Sequence, residues 1–200
     1  PSVFISGSAI GYYGDTGDSI VDEDSARGEG FLSDVATQWE AATQAVEDAG
    51  IRTIHLRTGI VLSPEGGVLQ KMLLPFRMGL GGVVGNGQQY MSWISIDDVV
   101  AIIAAMLDND EMAGAYNLVA PQPVTNHSFT KSLGIALHRP TIFPLPAFVA
   151  RLMFGEMADA LLLSGSRVAA TRLKTQGYTF ADTDLTETLS RLLGNDNQTT

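Results

Sequence analysis

Cysteine is absent from this sequence of 200 residues. A chain without cysteine forms no disulfide framework, no thiolate metal site and no cysteine nucleophile. The absence suits a reducing compartment, and we expect a cytoplasmic protein. The three histidines are scattered, and no cluster of His or carboxylate residues has the spacing of metal ligands, so we expect no bound metal.

Basic residues are scarce, since 12 Lys and Arg stand against 22 Asp and Glu and leave a formal net charge of −10. Nucleic-acid affinity depends on clustered Lys and Arg, so we expect no nucleic-acid partner. No apolar run reaches the roughly 18 residues of a membrane span, and no basic-then-apolar leader opens the chain. We therefore expect no membrane association. The 45% apolar content suits a globular protein of one domain, or of one domain plus a small lobe.

The hydrophobic pattern predicts alternating strands and helices. A strand over 2–6, a helix over 33–49 and a strand over 51–62 form a predicted βαβ unit with parallel pairing. The connecting stretch 7–30 is rich in Gly, Asp and Ser, and loops of this length are usually functional or disordered. The other predicted elements are strands over 91–96 and 116–119 and helices over 68–78, 97–107 (N-cap Asp97), 126–137 (N-cap Thr125 or Asn126), 148–163, 167–174 and 185–193.

The chain begins with Pro1 and enters a predicted buried strand at once, through Val3, Phe4 and Ile5. This pattern predicts that a longer protein lost its N-terminal part. A sheet without its first strands exposes edges and apolar faces, so we expect these 200 residues to need the missing part for folding.

The first candidate site is the run from Ser6 to Gly14, which follows the first predicted strand. Ligands of open α/β sheets bind beyond the carboxyl ends of the strands, and Ser and Gly permit close approach. The same run is equally compatible with a loop whose Ser hydroxyls satisfy neighbouring backbone groups.

That run resembles the Ser-rich, Tyr-Gly loop after the fifth strand of extended short-chain dehydrogenases/reductases. Segments 21–24, 56–61 and 93–100 resemble other motifs of this family, in the same order. The Gly-rich stretch from Gly81 to Gly87, with Gln and Trp-Ile after it, is similar to a divergent nucleoside-diphosphate-sugar-epimerase-like branch. So is the region 156–193, which resembles the small C-terminal domain of that branch.

The resemblance implies an α/β fold: part of a Rossmann-type doubly wound parallel sheet plus a small α/β C-terminal substrate lobe. We expect residues 1–120 to form the C-terminal part of the NAD(P)-binding domain, with substrate-lobe insertions. Residues 121–195 would form the small, mostly helical lobe, and 196–200 a disordered tail.

Catalysis in this superfamily resembles a relay of Ser, Tyr and Lys, in which Tyr is the acid or base and Lys lowers the Tyr pKa. Ser8 matches the Ser position. The Tyr and Lys positions fall on Leu32 and Ala36, neither of which transfers a proton. Tyr12 and Tyr13 are candidates for the substitute acid, but we favour a structural role for them, because the equivalent of Tyr13 in the family usually packs in the loop.

The helix that follows contributes two further candidates. Glu40 is either a buried polar anchor or the surviving acid-base group, and Trp39 is expected in the core. His55 is expected as a packed histidine rather than a base. Asp97 and Asp98 are interpreted as favourable charges at a helix start.

The implied cofactor is NAD or NADP, and its site is incomplete in this chain. No Gly-x-x-Gly-x-x-Gly turn follows a strand here, so only the nicotinamide side is represented. The implied cofactor-binding residues are Ser6, Gly7, Arg57, Thr58, Gly59 and Ile60.

The implied partner is a small-molecule substrate, a sugar nucleotide or similar polar metabolite, and a homodimer is left open. The implied substrate-binding residues are Lys71, Gly82, Gly87, Gln89 and Trp93. Met91 stands where epimerases have an Arg for the substrate pyrophosphate; Lys71 and Arg77 are alternative cations. The resulting hypothesis is an NAD(P)-dependent epimerase, dehydratase or reductase. The alternatives are a catalytically silent dinucleotide-binding regulatory protein and an interaction domain that acts through the apolar C-terminal lobe.

Overall fold

A computed structural model describes residues 1–148 and 164–194. Most of the helix predicted over 148–163, and the tail predicted over 196–200, lie outside the described residues. Within the described residues, no helix combines the length and the hydrophobicity that crossing a bilayer requires.

Short strands alternate with helices along the described chain. The strands are β1 (Val3–Ala9), β2 (Ile20–Val21), β3 (Arg52–Thr58), β4 (Ile60–Leu62), β5 (Tyr90–Met91), β6 (Trp93–Ser95), β7 (Gly114–Leu118), β8 (Val124–Thr125) and β9 (Arg167–Val168). The helices are α1 (Phe31–Ala41), α2 (Gln44–Asp48), α3 (Gly67–Arg77), α4 (Ile96–Asp108), α5 (Asn126–Leu137), α6 (Thr171–Thr175) and α7 (Leu185–Gly194), and a 3-10 helix spans Ile10–Tyr13.

The central sheet is parallel and has the order β1-β3-β7. Strand β3 lies in the middle and is buried over five consecutive residues, as expected for a parallel strand covered on both faces. Its register places Ser8 of β1 opposite Arg57 of β3 and Arg57 opposite Asn117 of β7. The predicted βαβ unit and the Rossmann-type parallel sheet are confirmed.

Several predicted boundaries are wrong. The helix predicted over 33–49 is two helices, α1 and α2, and the strand predicted over 51–62 breaks at Gly59 into β3 and β4. A Cβ on Gly59 would lie 2.4 Å from the carbonyl oxygen of Ser92, so the break allows the two backbones to meet. Residues 7–9 of the predicted loop extend β1, because they pair with residues 56–58 of β3.

Two cap predictions have different outcomes. Thr125 caps α5 as predicted, accepting a hydrogen bond from the Ser128 N–H at 3.3 Å. The N-cap of α4 is Ser95 rather than Asp97, because the Ser95 hydroxyl accepts from the Asp98 N–H at 3.2 Å. Asp97 instead lies in the first turn of the helix, where its charge favours the helix dipole.

Two apolar clusters form the core. The first surrounds the central sheet and includes Ile54, Ile102, Tyr116 and Leu173. The second lies between α3, β6, α5 and α7 and includes Leu69, Trp93, Phe129, Leu133 and Leu189. Residues after 164 therefore contribute to both clusters. The start of the predicted helix over 167–174 is also strand, since β9 pairs with β2.

Among the described residues, strand β1 pairs on one side only, with β3. Phe4 on this edge strand is 38% exposed. Trp39 of α1 is 56% exposed, so its predicted place in the core is wrong. Phe4 is therefore an exposed apolar side chain on a strand edge that is unpaired within the described residues.

Candidate functional site

A buried polar network lies at the carboxyl ends of β1 and β3. Ser8 and Arg57 face each other in the sheet register, and both are at least nine-tenths buried. Glu40 reaches them from α1. The Glu40 carboxylate accepts hydrogen bonds from Arg57 Nε at 2.8 Å, Arg57 Nη2 at 2.9 Å and the Ser8 hydroxyl at 2.7 Å. The arginine bonds form a two-pronged contact that fixes both side chains.

Both members of the Glu40–Arg57 pair are charged at neutral pH. Burial disfavours the carboxylate of Glu40, yet hydrogen bonds from Arg57 and Ser8 outweigh it and hold the Glu40 pKa below its ordinary value. Burial likewise opposes the Arg57 charge, but the bonds to Glu40 and Tyr13 raise the Arg57 pKa. Ionised Glu40 can only accept, so the Ser8 proton points toward Glu40.

Two tyrosines enclose the Arg57 guanidinium. The Tyr13 hydroxyl accepts a bond from Arg57 Nη1 at 3.0 Å and donates to Asn117 Oδ1 at 2.7 Å. Burial raises the Tyr13 pKa, so this hydroxyl keeps its proton. The Arg57 guanidinium carbon lies over the Tyr12 ring, 3.5 Å from its centroid, which is a cation–π contact. This geometry favours positioning roles for both tyrosines.

The network continues into the C-terminal residues through Asn117 and Glu23. The Asn117 side-chain amide donates to the Ala169 carbonyl at 2.9 Å, and its backbone N–H donates to Glu23 at 3.0 Å. Glu23 also accepts from the N–H groups of Thr171 and Arg172 at the start of α6. Sequence reasoning missed Asn117, although a polar residue within the apolar stretch 116–119 was a usable signal.

A cavity of about 440 Å³ is lined in part by residues that follow Ser8 and precede Glu40 in the chain, although Ser8, Glu40, Arg57 and Tyr13 are not themselves in its lining. The lining comes from four parts of the chain: Ile10, Gly11, Gly14 and Asp15 after β1; residues 29–32 at the start of α1; Ile60 with Tyr90 and Ser92; and Ser164–Ser166. Leu32, at the position implied for the catalytic Tyr, is part of the lining, whereas Ala36 is buried at 2% exposure. The contribution of 164–166 was not predicted, because nothing local in the sequence marks a contact across some 150 positions.

The residues predicted for the cofactor share the carboxyl edge of β1 and β3. Gly7 has no heavy atom within 4 Å of the position of a Cβ, so its surface is open to a ligand. Ile60 lines the cavity. The Ser6 and Thr58 hydroxyls donate to the carbonyls of Gly7 and Leu56, which are local backbone bonds.

The residues predicted for the substrate are not gathered at the cavity. Trp93 is fully buried and donates from Nε1 to the Gln122 carbonyl at 3.2 Å. Gly82 packs so closely on the Phe143 carbonyl that a Cβ would lie 1.8 Å from it, and Gly87 adopts a φ of 72°. The Gln89 amide donates to the Val84 carbonyl at 3.1 Å, and Lys71 is exposed on α3. Their role in substrate binding stays a prediction.

His55 is 8% exposed, and its Nε2 lies 2.7 Å from the Thr43 hydroxyl.

Asp98 is 1% exposed and accepts hydrogen bonds from the Tyr178 hydroxyl and from the N–H groups of Ala181 and Asp182. Asp98 therefore anchors the chain that follows α6, a role that the charge pattern did not reveal.

Proteins of known structure share this fold. The crystal structure of human epimerase family protein SDR39U1 (isoform 2) with NADPH superimposes with a TM-score of 0.92 at 36% identity, covering 98% of this chain and 66% of that one. The nucleoside-diphosphate sugar epimerase from Corynebacterium glutamicum gives a TM-score of 0.81 at 35% identity, covering 97% and 38%.

An epimerase family protein of Mycobacterium bovis is 43% identical over 188 residues, which is 94% of this chain and 62% of that protein. The chain thus spans less than two thirds of the length of this relative. Residues 145–192 match a domain of unknown function (DUF1731). Residues 2–118 match the model of the NAD dependent epimerase/dehydratase family, which confirms the resemblance seen in the sequence: the chain belongs to this family.

Proposed function

We propose that this chain forms the nicotinamide-facing and substrate-facing part of an NAD(P)-dependent oxidoreductase site of the epimerase type. The observation that carries the proposal is the network of Ser8, Glu40, Arg57 and Tyr13 at the carboxyl ends of β1 and β3, together with a cavity of about 440 Å³ that is lined in part by the segment following β1. That volume falls in the range of small-molecule sites.

The residues present fit the nicotinamide side of the cofactor. Gly7 leaves open space at the end of β1, and Ile60 adds an apolar wall. The turn for the cofactor pyrophosphate would come from elsewhere in the whole protein. The human relative of known structure carries NADPH, and we extend dinucleotide binding to this chain on that basis. The bound cofactor would supply hydride transfer.

The network residues of this chain divide into one that would contact a ligand and three that would hold it in position. Ser8 gives its only proton to Glu40, so its remaining lone pairs accept a hydrogen bond from a ligand hydroxyl or amide. Arg57 holds Glu40 ionised and in place, and Tyr13 fixes Arg57. Ser8 is therefore the residue that would contact the ligand, and Glu40, Arg57 and Tyr13 are positioning residues.

The second candidate is a dinucleotide-binding regulatory protein without turnover. Leu32 lines the cavity where the family pattern has its catalytic Tyr, and Ala36 is buried where that pattern has Lys. Neither side chain transfers a proton. A cytoplasmic location and a homodimer also stay predictions, which fractionation and light scattering would test.

The test uses the complete gene product with NADPH deuterated at C4. Incubation with candidate metabolites that carry both a carbonyl and a hydroxyl or amide group, followed by mass spectrometry, detects deuterium that moves to the carbonyl carbon. Under the first candidate, Ser8→Ala lowers this transfer at least about tenfold, the size of one positioned polar contact, whereas the matched surface variant Ser190→Ala leaves it unchanged. NADPH binding without transfer to any metabolite would favour the second candidate, and Ser8→Ala would then change affinity alone.

A further inference from the structure

Carboxylates are distributed unevenly along this chain. The stretches 66–96 and 112–155 contain none of its 22 Asp and Glu residues, although Lys71, Arg77, Lys131 and Arg139 lie within them. These stretches supply α3 and α5, which pack against each other in the second apolar cluster. The fold therefore brings together two acid-free parts of a chain whose formal net charge is −10.

Helix α3 and its C-cap present a row of cationic and apolar side chains to solvent. Lys71, Leu74 and Met78 follow one another at intervals of three and four residues, so they lie on one face, and all three are exposed. Leu74 and Met78 are 69% and 64% exposed. The opposite face, with Leu69 and Leu73, is buried in the second cluster. Packing among the described residues therefore does not explain the exposed apolar row.

Helix α5 presents a similar row. Lys131, Ile135 and His138 lie four and three residues apart on one exposed face, and Ile135 is 62% exposed. The rows approach each other at the C-terminal ends of the two helices, because Arg139 Nε donates to the Arg77 carbonyl at 2.9 Å. A single exposed apolar side chain is ordinary, but a contiguous group marks an interaction surface.

An open depression of about 600 Å³ lies beside the row on α5. Its lining includes Lys131, Ile135 and His138 of that row, together with Arg139 and Ile142 from the loop after the helix. Within the described part of the chain, the lining contains no carboxylate. We call the two exposed rows, together with Arg139 and Ile142, the acid-free surface.

The cations of this depression bond to neutral groups. Lys131 donates to the Thr141 hydroxyl at 3.0 Å and to the Thr141 carbonyl at 3.4 Å. Arg139 donates to the carbonyls of Arg77 and His138. Neither cation has a carboxylate partner among residues 1–148 and 164–194. Their positive charge is therefore not neutralised by an ion pair there.

We infer that the acid-free surface docks a second protein, through a short acidic segment of that protein that also carries apolar side chains. The apolar side chains of the segment cover Ile135 and Ile142, and its carboxylates meet Lys131 and Arg139. Complementary charge steers association and selects partners, and this surface carries cations on a strongly acidic chain. The acid-free surface lies outside the lining of the cavity near β1, so the inference goes beyond the proposed function.

An anionic bilayer is the other large anionic surface that such a patch could meet. A bilayer is flat, whereas the depression beside α5 is concave and suits an inserted side chain. A bilayer also extends well beyond the screening length of about 10 Å, so its charge acts on the rest of this acidic chain. A short acidic segment fits within the acid-free surface and avoids that repulsion.

The test measures the binding of dye-labelled helical peptides to the complete gene product by fluorescence anisotropy. The peptides have about fourteen residues, with leucine at every third or fourth position as helical anchors. The other positions are glutamate in the first peptide, glutamine in the second and lysine in the third. At about 50 mM salt we expect the glutamate peptide to bind about tenfold more tightly than the glutamine peptide, with a difference that shrinks as salt screens the charges. The lysine peptide should bind most weakly.

Two variants separate the charge contribution from the apolar contribution. Lys131→Gln with Arg139→Gln should reduce the preference for the glutamate peptide to less than about threefold, since the depression loses both cations. Ile142→Ser should weaken the glutamate and glutamine peptides alike, by about fivefold, because less apolar surface is buried on binding. Circular dichroism confirms that each variant is folded.

The matched controls are Arg27→Gln with Lys174→Gln for charge and Val100→Ser for apolar area, all at exposed positions outside the acid-free surface. They should leave peptide binding unchanged. Absence of binding by the glutamate peptide, equal binding of all three peptides, or equal losses in variants and controls would overturn the inference. So would sedimentation with phosphatidylserine vesicles, but not with phosphatidylcholine vesicles, that is lost in the double variant at 131 and 139. That result would assign the surface to a bilayer.

Discussion

Arg57 is the residue on which the polar network of the site converges. Its guanidinium bonds to Glu40 and Tyr13 and lies against the Tyr12 ring, all within the sheet interior. A buried charged side chain is stable only when a counter-charge and hydrogen bonds compensate for its lost hydration. Removing one member of a buried ion pair therefore leaves the other member as an uncompensated charge. The residues around Arg57 therefore govern stability as well as the geometry presented to a ligand.

Replacing Glu40 by Gln should remove an acid-sensitive part of the stability. The lowered Glu40 pKa stabilises the folded state above the unfolded value of 4.5, and this contribution is lost as pH falls below that value. At neutral pH we expect the unfolding free energy to fall by about 3 kcal/mol, because Arg57 loses its counter-charge. Urea unfolding of the complete gene product between about pH 7 and pH 3 measures both effects. Glu65→Gln, an exposed control, should change neither, and an equal acid response in wild type and Glu40→Gln would contradict the account.

Replacing Tyr13 by Phe should cost about 1–3 kcal/mol, since Arg57 Nη1 and Asn117 Oδ1 lose their shared partner in a buried place. Tyr12→Phe is the matched control: its ring still stacks on the guanidinium, and we expect a change within about 0.5 kcal/mol. Chemical denaturation of both variants measures the two changes in unfolding free energy. A Tyr13→Phe cost no larger than that of Tyr12→Phe would argue against the positioning role.

Helix α4 shows how one element organises a distant segment. Its first turn carries Asp98, which accepts from the Tyr178 hydroxyl at 3.1 Å and from two N–H groups at 181 and 182. The sequence predicted the helix but not this docking, because hydrogen-bond partners 80 residues apart leave no local pattern. The same reason explains why β9 was missed: its pairing with β2 is a long-range contact, and the sequence alone predicted that a helix begins at residue 167. Local periodicity, by contrast, located α3, α5 and α7 to within one or two residues.

Docking by Asp98 predicts a pH response at the alkaline end. Burial and the charge of Asp98 raise the pKa of Tyr178 to about 12 from an ordinary 10.0. A raised pKa gives stability that is complete below the ordinary value and declines as pH rises from 10.0 toward 12. Tyr178→Phe should abolish this decline in thermal unfolding scans over that range. A decline that persists in the variant would show that other groups cause it.

At the scale of the whole molecule, the sheet formed by residues 1–148 and 164–194 is open along β1. Composition and motif order predicted the α/β class, the parallel sheet and the position of Ser8 and Arg57 at its carboxyl edge. They did not predict Asn117, Glu23 or the lining at 164–166, since those positions depend on the packing of the last residues onto the sheet. The edge itself follows from the sheet order, in which β3 is the neighbour of β1 in the part of the chain that the structure describes.

The open edge predicts self-association of the 200-residue polypeptide. An unpaired strand edge with apolar side chains can pair with a strand of another molecule, and a lysine on the edge opposes this pairing. Phe4→Lys should therefore reduce light scattering by the isolated polypeptide. Ile135→Lys, at an exposed apolar position on α5, is the control for added charge alone. An equal reduction by both variants would assign the effect to net charge instead of the edge.

The central claim is that the carboxyl edge of β1 and β3 receives a nicotinamide dinucleotide. Titration of the complete gene product with NADPH and NADH, followed by nicotinamide fluorescence, tests it most directly. We predict a saturable change with one or both cofactors, weakened by Gly7→Val, which fills the open space at the end of β1. No change with either cofactor, from a protein shown to be folded by circular dichroism, would contradict the claim.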